Sequence, residues 1–454
     1  MSRINTNVSS MVAVNVLNKN NSNLQTSLQR LSTGYRINSG KDDPAGLIAS
    51  ESLRSEQMST QTAISNAQRA DNIIGTAEGS LGEVSNLLVS LQGLVGNAAN
   101  KAGLSQDEKD ANQLQVDSIL STINRISNSA SFEGVKLLNG TYDYTTSGLS
   151  TTSAFTSVSI NSAKVGATAL SVSVSVIASA QTGALQFAGS SSGLNGAASI
   201  SIAGNEGTVQ LSFASSTKSS AIVASVNQFK DSTGIQATLS SDNKSVTFTS
   251  TGYGASQFVS VTSNNSTALA TTDTSGVTNT TDYGRNATVS VNGTAVQSDG
   301  LNIKVVTANF EADLTLQATV NKVGTAKTFG VTGGGATFSL GAQVNSANSA
   351  SIGLGNVNTG SIGKFVQNGN VYTLSDLGSG KAAAVNNGDT ALAQNVVNQA
   401  IKSVAGLRGR LGAFQSNVLG STINSLNVAL ENVSSSESAI RDTDFATETA
   451  NMTR

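Results

Sequence analysis

The chain has 454 residues, a formal net charge of −2, and charged side chains at only 12% of positions, about half the usual share. It contains no His, Cys or Trp and a single Pro. These absences exclude disulfides, thiolate zinc sites, cysteine nucleophiles, histidine bases and the HExxH metalloprotease motif, and near-neutral charge leaves no electrostatic footprint for nucleic acid.

The first 33 residues carry apolar residues that can form a stripe (Val8, Met11, Leu17, Leu24, Leu28, Leu31) among many Asn. Asn is a poor helix former, so this segment is expected to stay largely unfolded alone and to become helical when a partner covers its stripe. No apolar run here is long enough for a signal peptide, and none in the chain reaches the ~18 residues of a membrane span. Gly34 can end this segment in a left-handed turn. Asp43 can cap the next helix, with Pro44 at its first position.

The cleanest periodicity follows. Ala67, Ala70, Ile74, Ala77, Leu81, Val84, Leu88, Leu91, Val95 and Ala98 alternate spacings of three and four over more than four heptads. Such a narrow stripe packs on other helices. Gly103 is read as its stop. Ser105 and Glu108 have capping-box spacing for a further helix carrying Leu120, Ile123, Ile126 and Ala130.

Only 19 charged residues fall in residues 141–380, which are rich in Ser, Thr, Gly and Val. Alternating runs (Leu170 to Val176, Val209 to Phe213, Val246 and Phe248, Phe310 to Leu316) predict strands. Val289 and Val291 run into the hairpin signal Asn292-Gly293. One short helix is predicted near 217–230, with Ile222, Val226 and Phe229. The period of two recurs too often for a disordered tract.

The C-terminal part returns to heptads. Ala400, Val404, Leu407, Leu411, Phe414 and Val418 form one ladder; after a one-residue skip, Leu419, Ile423, Leu426, Leu430 and Val433 form another. Ser434 and Glu437 are read as the start of another short helix. Arg408 and Arg410 are read as a solvated or subunit-facing edge. The acidic pairs Asp42-Asp43 and Asp442, Asp444 are read as helix caps. Gly333 to Gly335 lack a phosphate-loop Lys, and no constellation for catalysis or metal binding emerges. The expectation is a non-enzyme without cofactor. The predicted fold class is α+β multidomain, a long antiparallel helical bundle from both chain ends with a β-rich outer insertion.

At residues 30–48, RLSTGYRINSGKDDPAGLI, the sequence resembles bacterial flagellin. SFEGVKLLNG (131–140), FSLGAQVNSANSASIGLG (338–355), LRGRLGAFQSNV (407–418) and SAIRDTDFATETANMTR (438–454) resemble further flagellin segments in the same order. VNQFKDSTGIQATLSSDNKSVTFTST (226–251) is similar to an insertion motif of flagellin outer domains. The resemblance implies five regions. Residues 1–44 would be a filament-core helix, disordered in the free monomer, and 45–142 a helical rod with the start of a β-hairpin. Residues 143–335 would be variable outer β-rich domains, and 336–440 the returning hairpin and C-terminal rod. Residues 441–454 would begin a truncated C-terminal core segment. It also implies an extracellular filament subunit exported without a cleaved signal peptide, homopolymeric, and meeting cap and hook-associated proteins. A hook–filament junction protein, or an adhesin using the β region, is the alternative.

Departures from the family pattern bear on partners. The family continues past Arg454 with an amphipathic helix that the export chaperone binds, so the sequence is read as lacking that helix and the chaperone's site. Flagellins sensed by the Toll-like receptor for flagellin present Arg at the position of Ser90 and Glu at that of Gln115; only Leu94 matches. Weak sensing is the expectation.

Overall fold

In the computed structural model, the described residues are all except 1–6, 101–102, 150–153, 166–167, 190–192, 308, 368–369, 387 and 454. The chain divides into two compact units: residues 1–141 with 337–454, and residues 142–336.

The first unit is helical. Its elements are α1 (Val8–Thr33), α2 (Pro44–Ala98), α3 (Gln106–Ser129), α6 (Thr390–Ala413), α7 (Ser421–Arg441) and α8 (Phe445–Thr453), with a π-helical segment, Phe414–Gly420, joining α6 to α7. At ~1.5 Å per residue, the 55 residues of α2 form the longest element. Its start follows from local chemistry: the Asp43 carboxylate accepts from the Gly46 N–H, and Pro44 occupies a position whose N–H would be unpartnered. All ten predicted stripe residues of α2, Ala67 to Ala98, are at most 2% exposed. α6 faces them with Ala400, Val404, Leu407 and Leu411 buried, and α3 with Val116, Leu120 and Ile123.

Several local expectations are corrected. α2 ends at Ala98 rather than Gly103, because the N–H groups of Ala99 and Asn100 close a tighter last turn onto Val95 and Asn97. The α3 stripe turns through Ser127, buried with its hydroxyl donating to the Leu138 carbonyl at 2.7 Å, and Ile126 is only half-buried. No helix begins at Ser434: α7 runs unbroken to Arg441, since nothing there interrupts its backbone ladder. Phe414 and Val418 are half-buried, because the π segment turns them off the seam.

The segment returning to α6 is held on α3 by buried polar groups. Gln113 donates to the Leu377 carbonyl at 2.8 Å and accepts from the Val385 N–H at 2.8 Å. Asp117 accepts from the Ser379 N–H and hydroxyl and from Gln113. Burial pushes the Asp117 carboxyl up, but these hydrogen bonds outweigh it and hold the group below the usual carboxylate range.

The second unit has two cores. In one, eight strands pair in the order 145–147, 326–333, 170–178, 288–291, 294–299, 302–306, 310–316 and 155–163. Val172, Val174, Val289, Val305, Ala312, Leu314 and Val331 fill it. Phe155, on the last strand, meets Phe329, on the second, edge to face at 5.7 Å, so the sheet curls its ends together. The Tyr144 hydroxyl joins them further by accepting from the Ala163 N–H at 3.0 Å. Asn292 and Gly293 both take positive φ, the twist a two-residue hairpin requires.

The other core, within residues 184–283, has two four-stranded sheets and α4 (Ser219–Gln228), followed by the single turn α5 (Lys230–Thr233). Ile222 and Val226 of α4 are buried there with Leu185, Ile200, Val246 and Phe248. Gln181 and Arg285, flanking this insertion, exchange backbone hydrogen bonds of 2.8 and 2.9 Å.

Candidate assembly surface

The unusual surface of the helical unit is at the two chain ends. α1 starts with the Asn7 side chain accepting from the Ser10 N–H and ends at Gly34 with φ of 75°. Between these caps only Ser27 is buried. Val8, Met11, Leu17, Leu24 and Leu28 are exposed, Val8 at 66%, and Leu31 is half-buried. A 26-residue helix with its apolar side open is marginal in water unless something covers it.

α8 is the partner of α1 within the chain. Arg30 reaches the buried carboxylate of Glu448 at 3.5 Å. Asp444 starts α8 by accepting from the Ala446 and Thr447 N–H groups and the Thr447 hydroxyl; those bonds hold its carboxyl below the usual range. Asp442 is not an N-terminal cap: it follows the last residue of α7 and accepts from the Ser438 hydroxyl. Asp42 does not cap a helix either. It closes the 38–42 loop by accepting from Asn38 and Ser39, which lowers its pKa.

The two chain ends are clasped beside these helices. The Arg36 N–H donates to the Arg441 carbonyl at 2.7 Å and the Thr443 N–H to the Gly34 carbonyl at 2.9 Å. Arg441 also lies 3.6 Å from Glu51 and 3.7 Å from Glu437.

Along the rod, Arg408 is no free edge: it donates to Glu78 of α2 at 2.7 and 2.9 Å. Gln92 donates to Asn398 at 3.0 Å. Ser105 and Glu108 form the capping box of α3. Ser90 and Gln115 are exposed, and Leu94 is half-buried. Sequence reasoning missed Gln113, Asp117 and Asn124, which anchor the returning segment; Asn124 accepts from Thr359 at 2.9 Å. The available signal was Gln113 itself, a polar residue at heptad spacing from Val116 and Leu120.

Among the described residues no three His, Cys, Asp or Glu side chains group as metal ligands, and no helix is long and apolar enough to cross a membrane.

These features define a class: an α+β chain whose two ends build one helical unit around an inserted β-rich unit. Residues 4–143 match the bacterial flagellin N-terminal helical region and residues 394–454 the bacterial flagellin C-terminal helical region. Both ends of the chain are thus similar to the helical regions of bacterial flagellin. It is 43% identical over 139 residues to polar flagellin B/D of Vibrio parahaemolyticus, covering 31% of this chain and 36% of that one. It is 40% identical over 139 residues to flagellin B of Vibrio cholerae, covering 31% and 37%. The matched stretch thus spans little more than a third of those relatives.

Among solved structures, the D2–D3 domains of the Escherichia coli flagellar cap protein align at 18% identity and TM-score 0.29, over 42% of this chain and 98% of that one. Flagellar hook-associated protein 3 of Legionella pneumophila aligns at 12% identity and TM-score 0.29, over 86% and 94%. Neither likeness is close enough to define the fold. The sequence reading took the C-terminal helix as lacking; α8 is helical inside the matched C-terminal region.

Proposed function

We propose that this chain is a structural subunit that polymerises with copies of itself into the extracellular filament of the bacterial flagellum, and that it is not an enzyme. The observation that carries this reading is the open apolar side of α1, held beside α8 at the end of a buried heptad rod. A single chain leaves that side in water; stacked copies cover it. In this reading, residues 1–44 fold fully on assembly. The stripe from Ala67 to Ala98 and the ladder from Ala400 to Leu411 keep the rod rigid. The β-rich unit, 142–336, is the variable region.

The partners that follow are flagellin copies, the flagellar cap and the hook-associated proteins. Recognition by the innate flagellin receptor is weak, because Ser90 and Gln115 replace its charged contacts.

Electron microscopy of the purified chain mixed with short filament fragments tests the proposal. A filament subunit lengthens the fragments. A hook–filament junction protein binds their ends without lengthening them, and an adhesin leaves them unchanged.

A further inference from the structure

Along each strand of the eight-stranded sheet, side chains alternate between the core and the outer face. Ile303 and Leu314 point inward and are buried, so the residues beside them point outward. Strand pairing aligns these outward residues in rows across strands 294–299, 302–306, 310–316 and 155–163. Asp299 pairs with Asn302, Asn302 with Thr315, and Thr315 with Ser157. Two residues along, Lys304 pairs with Asp313 and Asp313 with Ser159. All are exposed except Thr315, which is half-buried. Together they line a cleft of about 460 Å³, within the size range of small-ligand sites.

Two local arrangements fix polar groups at this cleft. The Ser157 hydroxyl donates to the Thr315 hydroxyl at 3.0 Å, which in turn donates to the Asn302 side-chain oxygen at 2.9 Å. The relay orients Asn302 and leaves its amide nitrogen to donate outward. Beside it, strand 155–163 bulges: Ser162 pairs with Glu311 and Ile160 with Ala312, so Asn161 is an extra residue. Asn161 is 4% exposed, and its Nδ2 donates to the Asp313 carboxylate at 3.0 Å. Its Oδ1 is buried without a hydrogen-bond partner among the described residues. A buried unpaired carbonyl costs stability, and bulges re-aim side chains next to sites. What this arrangement secures is the position of Asp313.

The lining narrows the ligand. Its carboxylates, amide and hydroxyls offer acceptors and donors side by side, and no side chain in the rows is aromatic, so an apolar ligand is disfavoured. Asp299 and Asp313 outweigh Lys304, and the resulting negative charge repels carboxylated and phosphorylated ligands. Neighbouring strands lie ~4.8 Å apart, close to the repeat of one pyranose ring along a sugar chain. Each row crosses several strands and so matches a run of rings better than a single ring.

We propose that this face of the eight-stranded sheet binds a neutral glycan chain, with Asp299 and Asp313 accepting from sugar hydroxyls and Asn302 and Lys304 donating to them. With no aromatic ring to stack on, one cleft binds weakly, at a Kd of about 1 mM. A polymer of this chain would carry one cleft per copy, and weak sites then act together. The cleft itself lies within residues 142–336 and does not depend on the filament reading.

The test is saturation-transfer difference NMR on the full chain, titrated with cellotetraose, maltotetraose, mannotetraose and lacto-N-neotetraose, and with tetragalacturonic acid as the acidic comparison. The expected result is that at least one neutral tetrasaccharide binds, more tightly than its own disaccharide and more tightly than the acidic one. Asp313→Asn keeps the shape that Asn161 contacts, and Lys304→Gln alters only an exposed side chain. Each should weaken binding about ten-fold with unchanged circular dichroism, while Asp231→Asn on α5 leaves binding unaltered. No binding by any neutral tetrasaccharide up to about 20 mM, equal binding of the acidic one, or binding that survives both Asp313→Asn and Lys304→Gln would overturn the proposal.

Discussion

The guanidinium of Arg441 lies over the ring of Tyr35, 4.5 Å from its centroid, and so joins the loop after α1 to the end of α7. The backbone bonds of Arg36 and Thr443 flank this stack. Replacing Tyr35 by Ala removes the cation–π contact, worth about 0.5–1 kcal/mol at such a partly exposed site. Hydrogen exchange at the Arg36 and Thr443 amides should accelerate several-fold while the α2 stripe amides keep their rates. Equal acceleration along α2 would place the effect in the whole unit and not the clasp.

Leu88 lies mid-stripe on α2 with no exposed surface. Leu88→Ala should cost about 2–5 kcal/mol, and Leu88→Asp more, since an unpaired carboxylate is then buried. Thermal unfolding followed at 222 nm checks the order, and an unchanged melting temperature in Leu88→Asp would contradict the seam.

Tyr144→Phe removes the hydroxyl that accepts from the Ala163 N–H at 3.0 Å. The expected loss is about 0.5–1.5 kcal/mol, confined to the β-rich unit. Denaturation of residues 142–336 followed by strand circular dichroism measures it.

The acid response has a definite sign. Hydrogen bonds depress the folded-state pKa values of Asp42, Asp117 and Asp444. Depressed carboxyls contribute stability that is complete above their unfolded value, near 4, and is lost as pH falls through the folded value. The melting temperature of the helical unit should therefore fall below about pH 4, while between about pH 5 and 8 the contribution of these groups is complete and does not vary with pH. Asp117→Asn should make the acid limb shallower in calorimetry; an unaltered limb would remove Asp117 from the account.

Much of the helical unit was legible because heptad spacing leaves one narrow face for burial, and every residue of the α2 stripe lies on it. Caps were legible where carboxylate and backbone are local, as at Asp43 and Ser105. Asp42 and Asp442 were misread because their partners depend on loop conformation and not on the start of a helix. Arg408 was misread because its partner, Glu78, lies 330 positions away. The one-residue skip at 418–419 was visible as arithmetic, but a sequence does not distinguish a π turn from a break. In the β-rich unit alternation marked strands, while their order was hidden, since pairing joins strands as distant as 155–163 and 310–316.

Hydrogen exchange on α1, in the dilute chain and after incorporation into filament fragments, tests the central claim most directly. The account predicts fast exchange at Leu17, Leu24 and Leu28 in the free chain and strong protection once neighbouring copies cover them. Protection already complete in the dilute chain, or none gained on incorporation, would contradict it.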